Sequence, residues 1–192
     1  GLINDLTVRD LMNMEGVLTL TEPEIDEELI SALCAEASDL AAEQLVRMRR
    51  QEGDHLNRDL KAHLEAAEQL RSRILERAPL VVKDYREKLE SRLSGLLKEP
   101  VEPQRLAQEI ALMADRCAID EELARLESHI QQMRKYLITE GEIGKKMDFL
   151  IQEMNREANT IGSKASDATI AQHVVDLKSE IEKLREQIQN VE

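Results

Sequence analysis

Residues 119–137 read IDEELARLESHIQQMRKYL, and the spacing of their apolar side chains decides the fold. The intervals are four, three, four, three and four residues, from Ile119 through Leu123, Leu126, Ile130 and Met133 to Leu137. This spacing places the apolar side chains along one stripe of an α-helix, which is the pattern of helical bundles and coiled coils. Residues 147–161 and 174–191 carry the same kind of stripe. We therefore predict an all-α fold of long antiparallel helices with coiled-coil-like seams.

The N-terminal half predicts one long helix. Residues 21–24, TEPE, have the composition of a capping box, and the apolar residues after them keep helical phase as far as Arg77. The phase continues through Gly53, although a hairpin break at Gly53-Asp54 is the alternative, since Asp54 would be a good N-cap. Pro79 is expected to end this helix, because a proline ring clashes with the preceding turn and removes a hydrogen-bond donor. A shorter helix then spans residues 82–96.

These elements divide the chain into three regions. Residues 1–22 are an irregular lead-in, with a short helix after Thr7 and an alternation at residues 16–20 that would suit an edge strand. Residues 23–98 form a middle helical region, and residues 99–192 form a C-terminal helical domain. Pro100 and Pro103 mark the linker between the last two, and Pro103 suits the first turn of the following helix. A further break is expected near Cys117.

Composition excludes several classes of protein. A net charge of −13 over 192 residues disfavours binding to a phosphate backbone by bulk charge, and 2% aromatic residues are too few for a series of base-stacking platforms. A nucleic-acid function would therefore need a local site, a metal, or a further segment of protein. No 18-residue apolar run is present, so we expect no membrane partner. Cys34 and Cys117 have no metal-ligand or disulfide spacing, which makes a reducing cytoplasm the expected location.

Two stretches contain candidate functional residues. Glu122, Arg125 and His129 share one helix face beside the apolar stripe, although an acidic first turn followed by an ion pair would also explain them. A second polar stripe consists of Asp148, Gln152, Asn155 and Asn159. Asparagine is a poor interior helix residue, so this stripe indicates a specified polar network. A buried hydrogen-bonded seam that fixes helix register is the alternative, and composition does not separate the two.

The same stretches carry a resemblance to a known family. Residues 120–129, DEELARLESH, residues 144–164, GKKMDFLIQEMNREANTIGSK, and residues 184–192, LREQIQNVE, resemble the C-terminal domain of the YicC/YloC family. Residues 48–60 resemble the family's middle region. The chain departs from the family at Ala118, where an Asp is common, which removes one acidic side chain near the first stretch. The resemblance also implies that an N-terminal α/β domain is missing from this chain.

The resemblance implies a divalent-metal-dependent endoribonuclease that cleaves RNA phosphodiester bonds as a homo-oligomer, with a hexamer as the expected assembly and no DNA partner. Carboxylates suit Mn²⁺ or Mg²⁺. The implied metal ligands are Glu121, Glu122, Asp148, Glu153 and Glu157. The implied catalytic residues are Glu122, His129, Asp148 and Glu153, with His129 as general acid or base or as an Mn²⁺ ligand. The implied RNA contacts are Arg125, Lys145, Lys146, Asn155, Arg156, Asn159 and Lys164. Because the chain is acidic and a domain is expected to be missing, weak cleavage by residues 1–192 alone is expected.

A non-enzymatic helical module for oligomerisation and interaction is the alternative. The acidic surface, the apolar stripes and the scarcity of aromatic residues all suit it without any chemistry. An RNA-binding adaptor without cleavage is a third reading, which the net charge disfavours. Convergence in space of the candidate carboxylates with His129 would favour the enzyme, and their scatter would favour the module.

Overall fold

The computed structural model describes residues 5–19, 26–96, 102–139, 141 and 143–189. These residues form six α-helices: α1 (Val8–Met12), α2 (Glu27–Leu96), α3 (Pro103–Arg116), α4 (Asp120–Tyr136), α5 (Gly144–Lys164) and α6 (Ala168–Ile188). The described ranges contain no β-strand, which confirms the all-α fold. The predicted edge strand is wrong where it can be compared, because residues 16–18 form turns and bends. The predicted capping box at residues 21–24 lies outside the described residues.

The chain separates into two compact units, residues 1–49 and residues 50–192. The first contains α1 and the N-terminal part of α2, and all of its described residues are exposed. Helix α1 is the short helix that the sequence predicts after Thr7. A capping box starts it: the Thr7 hydroxyl accepts from the Asp10 amide, and the Asp10 carboxylate accepts from the Thr7 amide. The structure therefore shows α1 stabilised by local capping rather than by a buried core.

The second unit contains the rest of α2 and the helices α3 to α6, and within it α5 packs against both α4 and α6. Side-chain pairs join α2 to the same two helices: Glu65 with Arg134 and Arg71 with Glu127 on α4, and His63 with Glu180 and Arg77 with Asp167 on α6. For both partner helices, the pairs with higher residue numbers on α2 have lower residue numbers on α4 or α6. Helix α2 is therefore antiparallel to α4 and to α6, in agreement with the predicted antiparallel packing.

The core of this bundle uses the predicted apolar stripes. Five residues of α4 and its entry, Ile119, Leu123, Leu126, Ile130 and Met133, are buried, and Leu137 packs against them from a partly exposed position. The stripes of α5 and α6 are buried in the same core, together with residues of α2 from Leu60 to Val81. Where α5 meets α6, Gly162 lies so close to Val174 that an added Cβ would stand 3.1 Å from the valine Cγ1.

Helix α2 does not end at Pro79, which corrects the sequence-based expectation. The helix is continuous from Glu27 to Leu96 through both Gly53 and Pro79. Buried side chains lie on both sides of the proline, namely Ile74 and Val81. Arg77 also bonds to Asp84 within α2 and to Asp167 across the bundle. These contacts outweigh the cost of about 3 kcal/mol that an interior proline imposes on a helix.

The predicted breaks after α2 are confirmed among the described residues. Pro103 is the first residue of α3, where its missing N–H costs nothing. Helix α3 ends at Arg116, and the chain turns at Cys117 before α4 starts at Asp120. The turn between α4 and α5 includes Gly141 in the left-handed region at φ 110°, which favours glycine.

Candidate functional site at the α4–α5 interface

The antiparallel register of α4 and α5 brings the two candidate stretches together. Glu122 on α4 pairs with Lys164 at the end of α5, and Arg125 pairs with Glu157 one to two turns further along. His129 then lies opposite Glu153 and Glu157. Residues that are separated by more than twenty positions in sequence therefore line one continuous interface.

His129, Glu153 and Glu157 form the group best suited to a metal ion among the described residues. One imidazole nitrogen and one oxygen from each carboxylate lie within 4.8 Å of one another. Ligand atoms on opposite sides of an octahedral Mg²⁺ ion are about 4.2 Å apart, so a small inward movement of the side chains would suffice. The His129 Nε2 atom is buried and has no hydrogen-bond partner within the described structure. A buried nitrogen without a partner beside two carboxylates fits a cation ligand set of mixed nitrogen and oxygen donors.

Arg125 holds Glu157 with a two-point contact. Its Nε donates to Glu157 Oε1 at 2.9 Å and its Nη2 donates to Glu157 Oε2 at 3.0 Å. Hydrogen bonds to Glu157 and Glu121, together with the charges of Glu157 and Glu122, raise the pKa of Arg125 above its usual range although burial opposes this. Each Glu157 oxygen keeps a further lone pair, so the carboxylate can bind a cation while Arg125 fixes its orientation.

Glu122 is a buried carboxylate held between two basic side chains. Its Oε1 accepts from Lys164 Nζ at 2.9 Å and from Arg125 Nη2 at 3.1 Å. Burial raises the pKa of Glu122, but the Lys164 hydrogen bond and the two positive charges outweigh burial, and the pKa lies below its usual range. The buried Oε2 atom has no partner in the described part of the chain. Glu122 is therefore an ionised anchor of the interface with one oxygen free for a further contact.

The remaining candidate carboxylates lie apart from this group. Glu121 is exposed and reaches Arg125 Nη1 at 3.4 Å. Asp148 accepts a hydrogen bond from Gln152 Nε2 at 2.8 Å, and both residues belong to the predicted polar stripe. Asp148 and Glu153 are five residues apart, which places them about 140° apart around the helix. Asp148 therefore faces away from the flank of α5 that contacts α4.

The candidate RNA contacts divide into two groups. Lys145, Lys146 and Asn159 are exposed, Arg156 is largely exposed, and Asn155 is half-buried without a hydrogen-bond partner among the described residues. Arg125 and Lys164 are instead engaged by carboxylates, so a phosphate role would require them to give up those pairs. The spacing of three residues between Glu122 and Arg125 was the sequence signal for the first of these ion pairs. No spacing within a single helix indicated that Arg125 contacts Glu157 or that Lys164 contacts Glu122.

Fold and site together define a class: an all-α protein with a cluster of one histidine and two carboxylates at a helix interface, suited to a divalent cation. None of the described helices is long and apolar enough to cross a membrane.

Comparison with known proteins specifies the family. Residues 74–192 match the family described as "Endoribonuclease YicC-like, C-terminal", and residues 2–58 match "Endoribonuclease YicC-like, N-terminal region". The chain is 44% identical over its whole length to a "Probable endoribonuclease YicC" of Clostridioides difficile, and 35% identical over 98% of its length to one of Haemophilus influenzae. The chain belongs to the YicC-like endoribonuclease family. It spans 66% and 64% of the lengths of these relatives.

The match at residues 2–58 corrects one expectation. The prediction that the N-terminal domain is missing is wrong, because this segment matches the family's N-terminal region. Residues 27–58 lie in α2, which continues to Leu96 without a break, so no change of pattern in the sequence marks residue 58 as the end of a region.

Proposed function

We propose that this protein is an endoribonuclease that cleaves RNA phosphodiester bonds at the interface of α4 and α5. The observation that carries the proposal is the convergence of His129, Glu153 and Glu157 to within 4.8 Å. The relatives are named probable endoribonucleases, which supports RNA as the substrate class. Two free cysteines, Cys34 and Cys117, are consistent with activity in a reducing cytoplasm.

We further propose that His129, Glu153 and Glu157 hold a divalent cation, Mn²⁺ or Mg²⁺. The histidine nitrogen favours Mn²⁺, whereas Mg²⁺ usually takes oxygen ligands alone. When bound, such a cation supplies charge neutralisation at the scissile phosphate and lowers the pKa of a coordinated water. Arg125 would hold Glu157 in a fixed orientation through its two-point contact, and Glu122 with Lys164 would fix the two helices around the site. Asp148 and Glu121 are left outside this proposed centre because of their positions on the helices.

The exposed basic side chains of α5 would bind the RNA backbone. Lys145 and Lys146 lie in the first turn of the helix, where no acidic residue offsets them. Arg156 is 74% exposed and has a 3.7 Å contact with Glu153. Asn155 and Asn159 would contact bases or 2′-hydroxyls, the groups that distinguish RNA from DNA.

Cleavage of labelled RNA with Mn²⁺, with Mg²⁺ and with EDTA tests this function. We expect cleavage with a cation and none with EDTA. Glu153→Gln and Glu157→Gln should lower the rate by at least about tenfold, since amides bind these cations poorly. Glu182→Gln is the matched control, because this exposed α6 carboxylate pairs with Arg185 alone among the described residues. Equal cleavage by all three variants would contradict the site.

Added Mn²⁺ should raise the melting temperature of the wild-type protein, because a ligand that binds the folded state stabilises it. The same rise in Glu153→Gln and Glu157→Gln would show that the cation binds elsewhere.

A homo-oligomer is a second proposal, carried by a different observation. The part of α2 before residue 50 exposes a series of large apolar side chains: Leu29, Ile30, Leu33, Leu40, Leu45, Val46 and Met48. So many exposed apolar residues on one helix are typical of a protein–protein contact. The hexamer implied by the resemblance is the expected assembly.

Light scattering at micromolar concentration tests this proposal. We expect an oligomer that dissociates in the double variant Leu33→Asp with Leu40→Asp, and persists in Val175→Asp, an equally exposed position on α6. A monomeric wild-type chain would refute it.

A further inference from the structure

Phe149 is a large apolar side chain on the outer face of α5. It is 59% exposed. The other large apolar residues of this helix are buried in the bundle core: Met147, Leu150, Ile151, Met154 and Ile161. Phe149 is also the only phenylalanine of the chain. An exposed ring does not contribute the stabilisation that burial of an aromatic side chain provides, so the exposure of Phe149 requires an explanation.

Three basic residues lie near Phe149 on this face of α5, beside Glu153 of the proposed catalytic centre. Lys145 and Lys146 precede it by four and three residues, and Arg156 follows it by seven, which places all three on the same side of the helix. Neither lysine has an ion-pair partner among the described residues. With four basic and three acidic side chains, α5 is the one described helix with a positive formal charge, in a chain of net charge −13.

A single exposed ring bordered by cations suits an unpaired nucleobase. A protein partner would require a contiguous apolar patch, and Phe149 is the only large apolar residue that α5 exposes. Single-stranded RNA, by contrast, binds proteins by stacking its bases on aromatic rings while basic side chains contact the phosphates. Charge and shape on this face therefore favour RNA over a second protein surface.

The Phe149 ring lies near the proposed catalytic centre along α5. Phe149 lies four residues before Glu153, which is about 6 Å along the helix axis. Glu153 is one of the three members of the His129–Glu153–Glu157 cluster. A base stacked on Phe149 would thus hold a neighbouring part of the strand beside the cluster.

We propose that Phe149 is a stacking platform for an unpaired base of the RNA substrate, with Lys145, Lys146 and Arg156 contacting the adjacent phosphates. The proposal rests on the proposed endoribonuclease function and adds that the strand is single beside the cleavage site. A base inside a duplex has no free face for the ring, so duplex RNA should be a poor ligand for this surface.

The test measures binding of an oligouridine that contains one central 2-aminopurine, with EDTA present to prevent cleavage. The fluorescence of 2-aminopurine falls when the base stacks. We expect quenching by the wild-type protein and by Phe149→Tyr, which keeps an aromatic ring. Phe149→Leu keeps an apolar side chain without a π-face, and should lose the quenching and bind about 5- to 100-fold more weakly. Val175→Leu, an exposed apolar residue on α6, is the control and should bind as the wild type does.

Equal affinity and equal quenching in the wild-type protein and Phe149→Leu would overturn the proposal. A change of oligomeric state in Phe149→Leu by light scattering would also overturn it, since the ring would then pack against a second copy of the chain. Phe149-dependent quenching by a wild-type protein that cleaves no RNA with any cation would refute the proposed function alone. Cleavage without any effect of Phe149 would refute the stacking proposal alone.

Discussion

Replacing Arg125 with glutamine tests whether the ion pairs between α4 and α5 hold the candidate site together. Arg125 donates hydrogen bonds of 2.9 and 3.0 Å to Glu157 and one of 3.1 Å to Glu122. The Glu157 side chain is 5% exposed, whereas that of Arg125 is 46% exposed. Removing one partner of a fully buried ion pair costs about 3–5 kcal/mol. Because water reaches the Arg125 side of the pair, we expect Arg125→Gln to cost about 2 kcal/mol at neutral pH.

Urea unfolding followed by far-ultraviolet circular dichroism measures this loss. The matched control is Arg185→Gln, which breaks a 3.4 Å pair with Glu182 in which both side chains are about half exposed. That change should cost less than about 0.5 kcal/mol, as exposed pairs usually do. Arg125→Lys should retain part of the stability, since an ammonium group keeps the charge but loses the two-point contact.

A double-mutant cycle that combines Arg125→Gln with Glu157→Gln measures the free energy of the Arg125–Glu157 interaction apart from the other contacts of each side chain. Arg125→Gln alone leaves the buried Glu157 carboxylate without its partner, whereas the double variant removes both members of the pair. The double variant should therefore be more stable than the sum of the two single effects predicts, by about 1–2 kcal/mol. Additive effects, or an Arg125→Gln variant as stable as the wild-type protein, would refute the inference that Arg125 acts by pairing with Glu157.

Three further outcomes are expected. Burial opposes the charge of Glu122, but its two basic partners lower its pKa, so its contribution to stability is present above about pH 5 and is lost as the pH falls through the lowered value. The melting temperatures of wild type and Glu122→Gln should therefore converge between pH 7 and pH 3.5, and parallel curves would contradict this. Pro79→Ala should raise the free energy of unfolding by about 1 kcal/mol, because it restores a helical hydrogen bond; a lower value would show that the ring's contacts dominate. Asp167→Ala should cost about 1–2 kcal/mol by removing the N-cap bond to Ile170 and the pair with Arg77. Asp167→Asn, which keeps a capping oxygen, should be intermediate in the same unfolding assay, and equal losses would contradict a capping role.

The helices themselves could be predicted from the amino-acid sequence. The intervals from Ile119 to Leu137 match the core-facing residues of α4 and its ends, of which Leu137 alone is only partly buried, and the core-facing residues of α5 and α6 follow the same rule. The start of α3 at Pro103 was equally readable. These features depend on the geometry of a single helix and on the restricted φ of proline, which are local properties that a sequence carries directly.

Pro79 shows where local rules were insufficient. Whether a proline ends a helix depends on whether tertiary packing compensates for its cost. Here the burial of Ile74 and Val81 and the Arg77–Asp167 ion pair provide that packing, and they exist only in the assembled bundle. The same holds for residues 16–18, where an alternating sequence forms turns because no neighbouring strand is available to pair with it among the described residues.

For the site, the sequence by itself determined which residues could act and on which helices they lie. It grouped Glu122, Arg125 and His129 on one face of α4, because residues three and four apart on a helix are neighbours. Only the tertiary structure decided that His129 lies beside Glu153 and Glu157. The relative register of two antiparallel helices is set by how their apolar side chains interdigitate, and no spacing within one helix encodes it. Residue chemistry was therefore readable from the sequence, and the convergence of that chemistry depended on packing.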